Sequence, residues 1–140
     1  MGFVVSLVIA SIAAPPTPEQ VFEQRILPIF NSPNPSSCVQ CHLAGVDLKN
    51  YIRPSSTETF LSLRDQGLID LDAPEKSRIL ALIAMGQDEK TAPKISQKAR
   101  DAEYQAFAAW VKSAASDPLL RTAPKLKPDE LAKQIGRAHV

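Results

Sequence analysis

The chain has two cysteines, three positions apart, and a histidine directly follows the second: Cys38-Val39-Gln40-Cys41-His42. No other run limits the possible fold so strongly. On a helical turn, positions three apart share a face, so both sulfurs and the imidazole are presented together. A thioredoxin-type redox pair needs a strand–helix–strand setting, and the chain shows no such strands. A structural zinc site needs four ligands, more than this chain supplies. A plain stabilising disulfide leaves His42 without a purpose.

The remaining reading is a haem-attachment motif. Cys38 and Cys41 add across the two vinyl groups of one haem, giving haem c held by two thioether bonds. His42 is then the expected proximal iron ligand. Its other ring nitrogen needs an acceptor to fix the ring. The Pro54 carbonyl, twelve residues on, is the candidate. Once Met1 leaves with a signal segment, Met85 is the remaining methionine and the candidate second axial ligand. The alternative is that Met85 is a core residue in register with Leu82. The iron is then five-coordinate, or takes a lysine, water or another nitrogen. Tyr51 and Arg53 are nearby candidates for holding the haem propionates.

Around this motif the pattern is helical, punctuated by twelve prolines. Thr17-Pro18-Glu19-Gln20 predicts a capped helix start, followed by an apolar face of Phe22, Ile26, Ile29 and Phe30. Pro28 is expected to kink or end that helix, and residues 31–37 to form a loop. Ser55-Ser56-Thr57-Glu58 predicts a second start and Gly67 its stop. Asp72-Ala73-Pro74-Glu75 predicts a third, with Ile79, Leu80, Leu82, Ile83 and Met85 apolar and Gly86 ending it. Lys98 to Ala115 is the strongest helical stretch. Tyr104, Phe107, Ala108 and Val111 form its stripe, with Trp110 at the edge. The fold class expected is all-α with long loops.

The ends read differently. Gly2 to Ala14 is uncharged and largely apolar. At about a dozen residues it is short for a bilayer span and fits a signal peptide, residues 1–13, cleaved after Ala13, the alternative being a segment retained as an anchor. Export to the bacterial periplasm or cell surface follows, with no membrane span expected after signal removal. That suits c-type haem, which bacteria attach outside the cytoplasm. Residues 14–116 are the expected domain. Residues 117–134 are expected as a linker leading into a downstream region. Ile135-Gly136-Arg137-Ala138-His139-Val140 is the in-frame translation of a common sequencing-adapter string, so 135–140 are read as read-through. His139 is discounted as a haem ligand on that ground. Sixteen basic against 15 acidic residues give a net charge of +1. That balance argues against a dedicated nucleic-acid binder.

With these pieces in order, the chain resembles a class I-type single-haem cytochrome c domain, most like those of planctomycete-type bacteria. The resemblance is carried by residues 22–30, 37–42, 74–80 and 103–111, within Thr17 to Ala115. It implies a small bundle of about four helices around one covalent haem. It also implies that the first and last helices cross, with Phe22 or Phe30 meeting Phe107 or Trp110. One departure matters. Many relatives place a Met-Pro pair in the loop before the last helix. Here that loop reads Lys90-Thr91-Ala92-Pro93-Lys94, which keeps the proline and lacks the methionine.

The expected function is electron transfer by a non-enzymatic carrier, with a redox partner protein or a fused downstream domain as its counterpart. Two alternatives stay open. An open iron position would make the domain a haem-based ligand sensor or a peroxidase-like module. Covalent haem could also serve as a structural element of a larger protein.

Overall fold

The first helix begins where the Thr17 side chain dictates. In a computed structural model, which describes residues 12–32, 51–85 and 97–127, Thr17 Oγ1 accepts the Gln20 N–H at 3.2 Å. Gln20 Oε1 accepts the Thr17 N–H in return at 2.9 Å. This closed capping box starts α1, Pro18–Val21. Two otherwise orphaned donors are satisfied by it.

Pro28 does not end the helical run. A π-helical turn, Phe22–Ile26, precedes α2, Leu27–Asn31, and Pro28 sits in the first turn of α2. Leu27 N–H reaches the Phe22 carbonyl, five residues back. The cause is steric: a proline ring clashes with the carbonyl four residues earlier and offers no N–H. A wider turn ahead of it relieves both problems, and the first turn of the new α-helix tolerates the missing donor.

α3, Ser56–Asp65, begins with Ser55 Oγ accepting the Glu58 N–H at 3.3 Å. It ends in a Schellman motif. Gly67 has φ +72°. Its N–H bonds the Arg64 carbonyl at 3.0 Å, and Leu68 N–H bonds the Leu63 carbonyl at 2.9 Å. Glycine is suited to that left-handed position because it has no Cβ.

The third predicted start is displaced. Asp70, rather than Asp72, accepts the free N–H groups: its Oδ1 takes those of Asp72 and Ala73, both at 2.9 Å. Pro74–Lys76 forms a single 3₁₀ turn, and the α-helix α4, Arg78–Met85, begins only after Ser77. Ser77 is buried, and its hydroxyl accepts the Asp70 N–H at 2.9 Å, which ties the turn together. Asp72 instead pairs with Arg121 at 2.9 Å.

α5, Gln97–Ala115, matches the strongest predicted helix almost end to end. Its face is rotated from the expectation, however. Trp110, placed at the stripe's edge by the sequence, is fully buried at its centre, whereas Tyr104 is half-exposed. Trp110 meets Phe22 at 5.3 Å between ring centroids, Phe107 at 6.1 Å and Phe60 at 6.2 Å, and Phe107 meets Phe30 at 6.3 Å. The Phe22–Trp110 pair is tilted and the other three are edge-to-face; edge-to-face pairs contribute about 0.5–1.5 kcal/mol each beyond area burial. The expected meeting of Phe22 and Phe30 with Phe107 and Trp110 is thus present. Ile26, Leu63, Ile79 and Val111 complete the buried centre.

α6, Pro118–Thr122, is capped by Asp117, which accepts the Leu119 N–H at 2.9 Å. The residues after α5 are folded against the body through Leu126. The Arg64 guanidinium donates to the carbonyls of Leu120 and Ala123, each at 2.8 Å, and of Pro124 at 3.1 Å. Asp65 pairs with Arg64 at 2.7 Å and accepts the Leu126 N–H at 2.6 Å. Arg121 donates to the carbonyls of Leu71 and Ala115.

All regular elements among the described residues are helical, in agreement with the all-α expectation. No helix among them is long and apolar enough to cross a membrane.

Candidate functional site

Cys38, Cys41 and His42 lie outside the described residues, but both flanks of their segment are described. On the leading side, α2 delivers the chain with Leu27, Ile29 and Phe30 half-buried, Phe30 edge-on to Phe107. On the trailing side, Tyr51 and Ile52 pack partly buried against the same core. Apolar side chains with uncovered surface therefore stand on the stretches leading into and out of the Cys38–His42 run. A porphyrin attached there needs such surface beside it, because most of a bound cofactor's area is apolar. In this respect the residues present fit the group.

The backbone around Pro54 is held from two helices. Arg53 N–H donates to Thr59 Oγ1 at 2.9 Å, and the Thr59 hydroxyl donates to the Ser55 carbonyl at 2.9 Å. Thr59 is fully buried. One residue further on, Ser56 Oγ accepts the Trp110 indole N–H at 2.9 Å. The backbone is thereby held at Arg53 and Ser55, the residues on either side of Pro54, whose own ring is exposed. Sequence reasoning singled out Pro54 and missed Thr59. The signal available was a threonine four residues after the helix-capping Ser55, a spacing that lets a hydroxyl bond back to a carbonyl.

Met85 is the last residue of α4. Its side chain lies outside what the structure describes, whereas Leu82, one turn earlier, is buried in the core. Tyr51 and Arg53 are both half-buried, at the start of the trailing flank. Gly86, the 90–94 loop, residues 128–134, His139 and most of the expected signal segment also fall outside the described residues.

Among the described residues, no group of three His, Cys, Asp or Glu side chains is placed to hold a metal ion. The metal-binding expectation therefore rests on the Cys38–His42 run. Two grooves that the sequence did not suggest flank α5. One, of about 540 Å³, lies between Val21, Gln24 and Arg25 on the first helical run and Ala109 and Lys112 on α5. The other, of about 450 Å³, lies between Glu75, Leu80 and Tyr104.

No protein-family model matches the chain, and neither a curated protein nor a solved structure matches it.

Proposed function

We propose that this chain is an exported c-type cytochrome domain, with a cytochrome c-like bundle, that carries one covalent haem and passes single electrons. The observation that carries the reading is the Cys38-Val39-Gln40-Cys41-His42 run, bracketed by half-buried apolar residues on either flank. The packing of the first helical run against α5 through Phe22–Trp110 and Phe30–Phe107 supports it further. Cys38 and Cys41 would hold the group by thioethers, and His42 would ligate the iron. The Pro54 carbonyl would orient His42, and Met85 would be the second ligand. When bound, haem supplies a one-electron couple. The chain's own part is to bind, orient and exclude water. Leu27, Ile29, Phe30, Tyr51 and Ile52 offer apolar cover, and Thr59 fixes the loop that bears Pro54. A redox partner protein or a fused domain would be the counterpart, in the periplasm or at the cell surface.

A second reading has its own support. The segment before α5 carries Pro93 without a methionine beside it. If Met85 leaves the iron free, the open position favours a ligand sensor or a peroxidase-like module.

The test is the absorption spectrum of haem-matured protein, oxidised and reduced, for wild type and Met85→Ala. A weak long-wavelength band in the oxidised wild type, lost in Met85→Ala, is the expected result and establishes His42/Met85 ligation. A high-spin spectrum indifferent to the substitution would put the open-site reading first. Absence of covalently retained haem would overturn both.

A further inference from the structure

The larger groove beside α5 has a floor and rims of different chemistry. Val21, Ala109, Pro15 and Pro16 supply apolar surface. Arg25, from the π-helical turn, and Lys112, from α5, line it from opposite helices, and both are exposed. Neither has a carboxylate partner among the described residues. The one carboxylate lining the groove, Asp117, already accepts the Leu119 N–H as the cap of α6. The Ser116 hydroxyl is likewise engaged, donating to the Lys112 carbonyl at 2.8 Å.

A large apolar residue stands exposed nearby: Leu119 is 78% exposed. Leu119 follows Asp117 by two, within about 7 Å. From Ala109 to Ser116 the groove follows α5 for about 10 Å, or two helical turns. An open trough of that length between two helices matches the helix-in-groove mode of recognition, in which apolar residues at i, i+3, i+4 and i+7 enter and flanking charges meet the rim.

We propose that this groove docks an acidic, apolar-faced helix of a partner protein. The apolar floor would take the partner's aliphatic stripe. Arg25 and Lys112 would meet its carboxylates, setting partner choice and encounter rate more than raw affinity. The proposal stands independently of the haem reading, because none of its residues belongs to the Cys38–His42 segment.

The test uses the haem-matured protein and two fluorescein-labelled helical peptides. Both carry leucine at i, i+3, i+4 and i+7. One has glutamate, the other lysine, at the flanking positions. Fluorescence anisotropy is expected to show the glutamate peptide binding wild type at least about tenfold more tightly than the lysine peptide. The double variant Arg25→Glu/Lys112→Glu, altered only at exposed positions, is expected to invert that preference. Absence of binding up to about 1 mM would overturn the proposal, as would affinity indifferent to either charge reversal. Self-association of wild type that the double variant abolishes would assign the groove to a second copy instead and also overturn it. The haem spectrum of the same samples reports separately on the cytochrome reading.

Discussion

The indole N–H of Trp110 donates to the Ser56 hydroxyl across 2.9 Å, joining the start of α3 to the middle of α5 inside the core. Replacing Ser56 by alanine leaves a buried donor unsatisfied, which costs about 1–3 kcal/mol. Urea denaturation of Ser56→Ala is expected to show a loss of that size. In the double variant with Trp110→Phe the two costs are expected to fall short of additivity, because the orphaned donor is gone. Strict additivity would mean that the bond contributes nothing to stability.

Gly67 is a backbone requirement rather than a packing one. A Cβ built there meets nothing within 4 Å, but φ is +72°. Gly67→Ala is therefore expected to lower stability by about 1–2 kcal/mol, and Gly67→Asn by less, since asparagine tolerates this region better. Equal stability of the alanine variant would exclude the left-handed turn.

Arg64 and Asp65 hold the segment that follows α6, and their side chains are 9% and 3% exposed. Arg64→Leu removes the donors to three carbonyls and strands a buried carboxylate. Breaking such a pair costs about 3–5 kcal/mol. Trypsin cleavage after the exposed Lys125 is expected to accelerate in native buffer. Pairing the change with Asp65→Asn is expected to restore part of the stability, because the stranded charge is removed.

One carboxyl couples folding to pH. The Ala73 N–H, then the Asp72 N–H, hold the Asp70 carboxyl below the ordinary carboxylate range, with a smaller contribution from Lys76. A folded-state value below the unfolded one means the unfolded chain binds the extra proton first. The contribution is therefore full above the ordinary aspartate value and disappears as pH falls through the depressed one. Thermal melts of Asp70→Asn between neutrality and acid are expected to show a shallower loss than wild type. Identical slopes would remove Asp70 as the cause.

Much of the fold is written in local chemistry. The Thr17–Gln20 box, the Ser55 cap, the Gly67 stop and the length of α5 each depend on side chains within a few positions, so the sequence discloses them. Trp110 lies at the centre of the buried face rather than its edge, because helical spacing ranks apolar positions on one helix and says nothing about which neighbour they meet. Its burial is decided by Phe22, Phe60 and Phe107 on three elements. The docking of residues 117–126 is not legible for a similar reason: an arginine donating to carbonyls leaves no periodic trace. Asp70 rather than Asp72 takes the capping role because both precede Pro74 and only the turn geometry chooses between them. At the candidate site, Cys38, Cys41 and His42 are legible because their spacing is itself chemistry. The support given by Thr59 emerges only when α3 stands beside the Pro54 loop.

The π-helical turn at Phe22–Ile26 acts as a phase shifter. It inserts one residue that an uninterrupted α-helix would not contain, so every side chain beyond it is rotated by roughly 100° relative to the register set at Thr17. Phe22 reaches Trp110 in one phase and Phe30 reaches Phe107 in the other. Closing this turn to α geometry with every residue kept would swing Phe30 off Phe107, whereas deleting one residue would leave a continuous α-helix with Phe30 in its present phase. The number of residues in this one turn therefore decides which face of α2 meets α5.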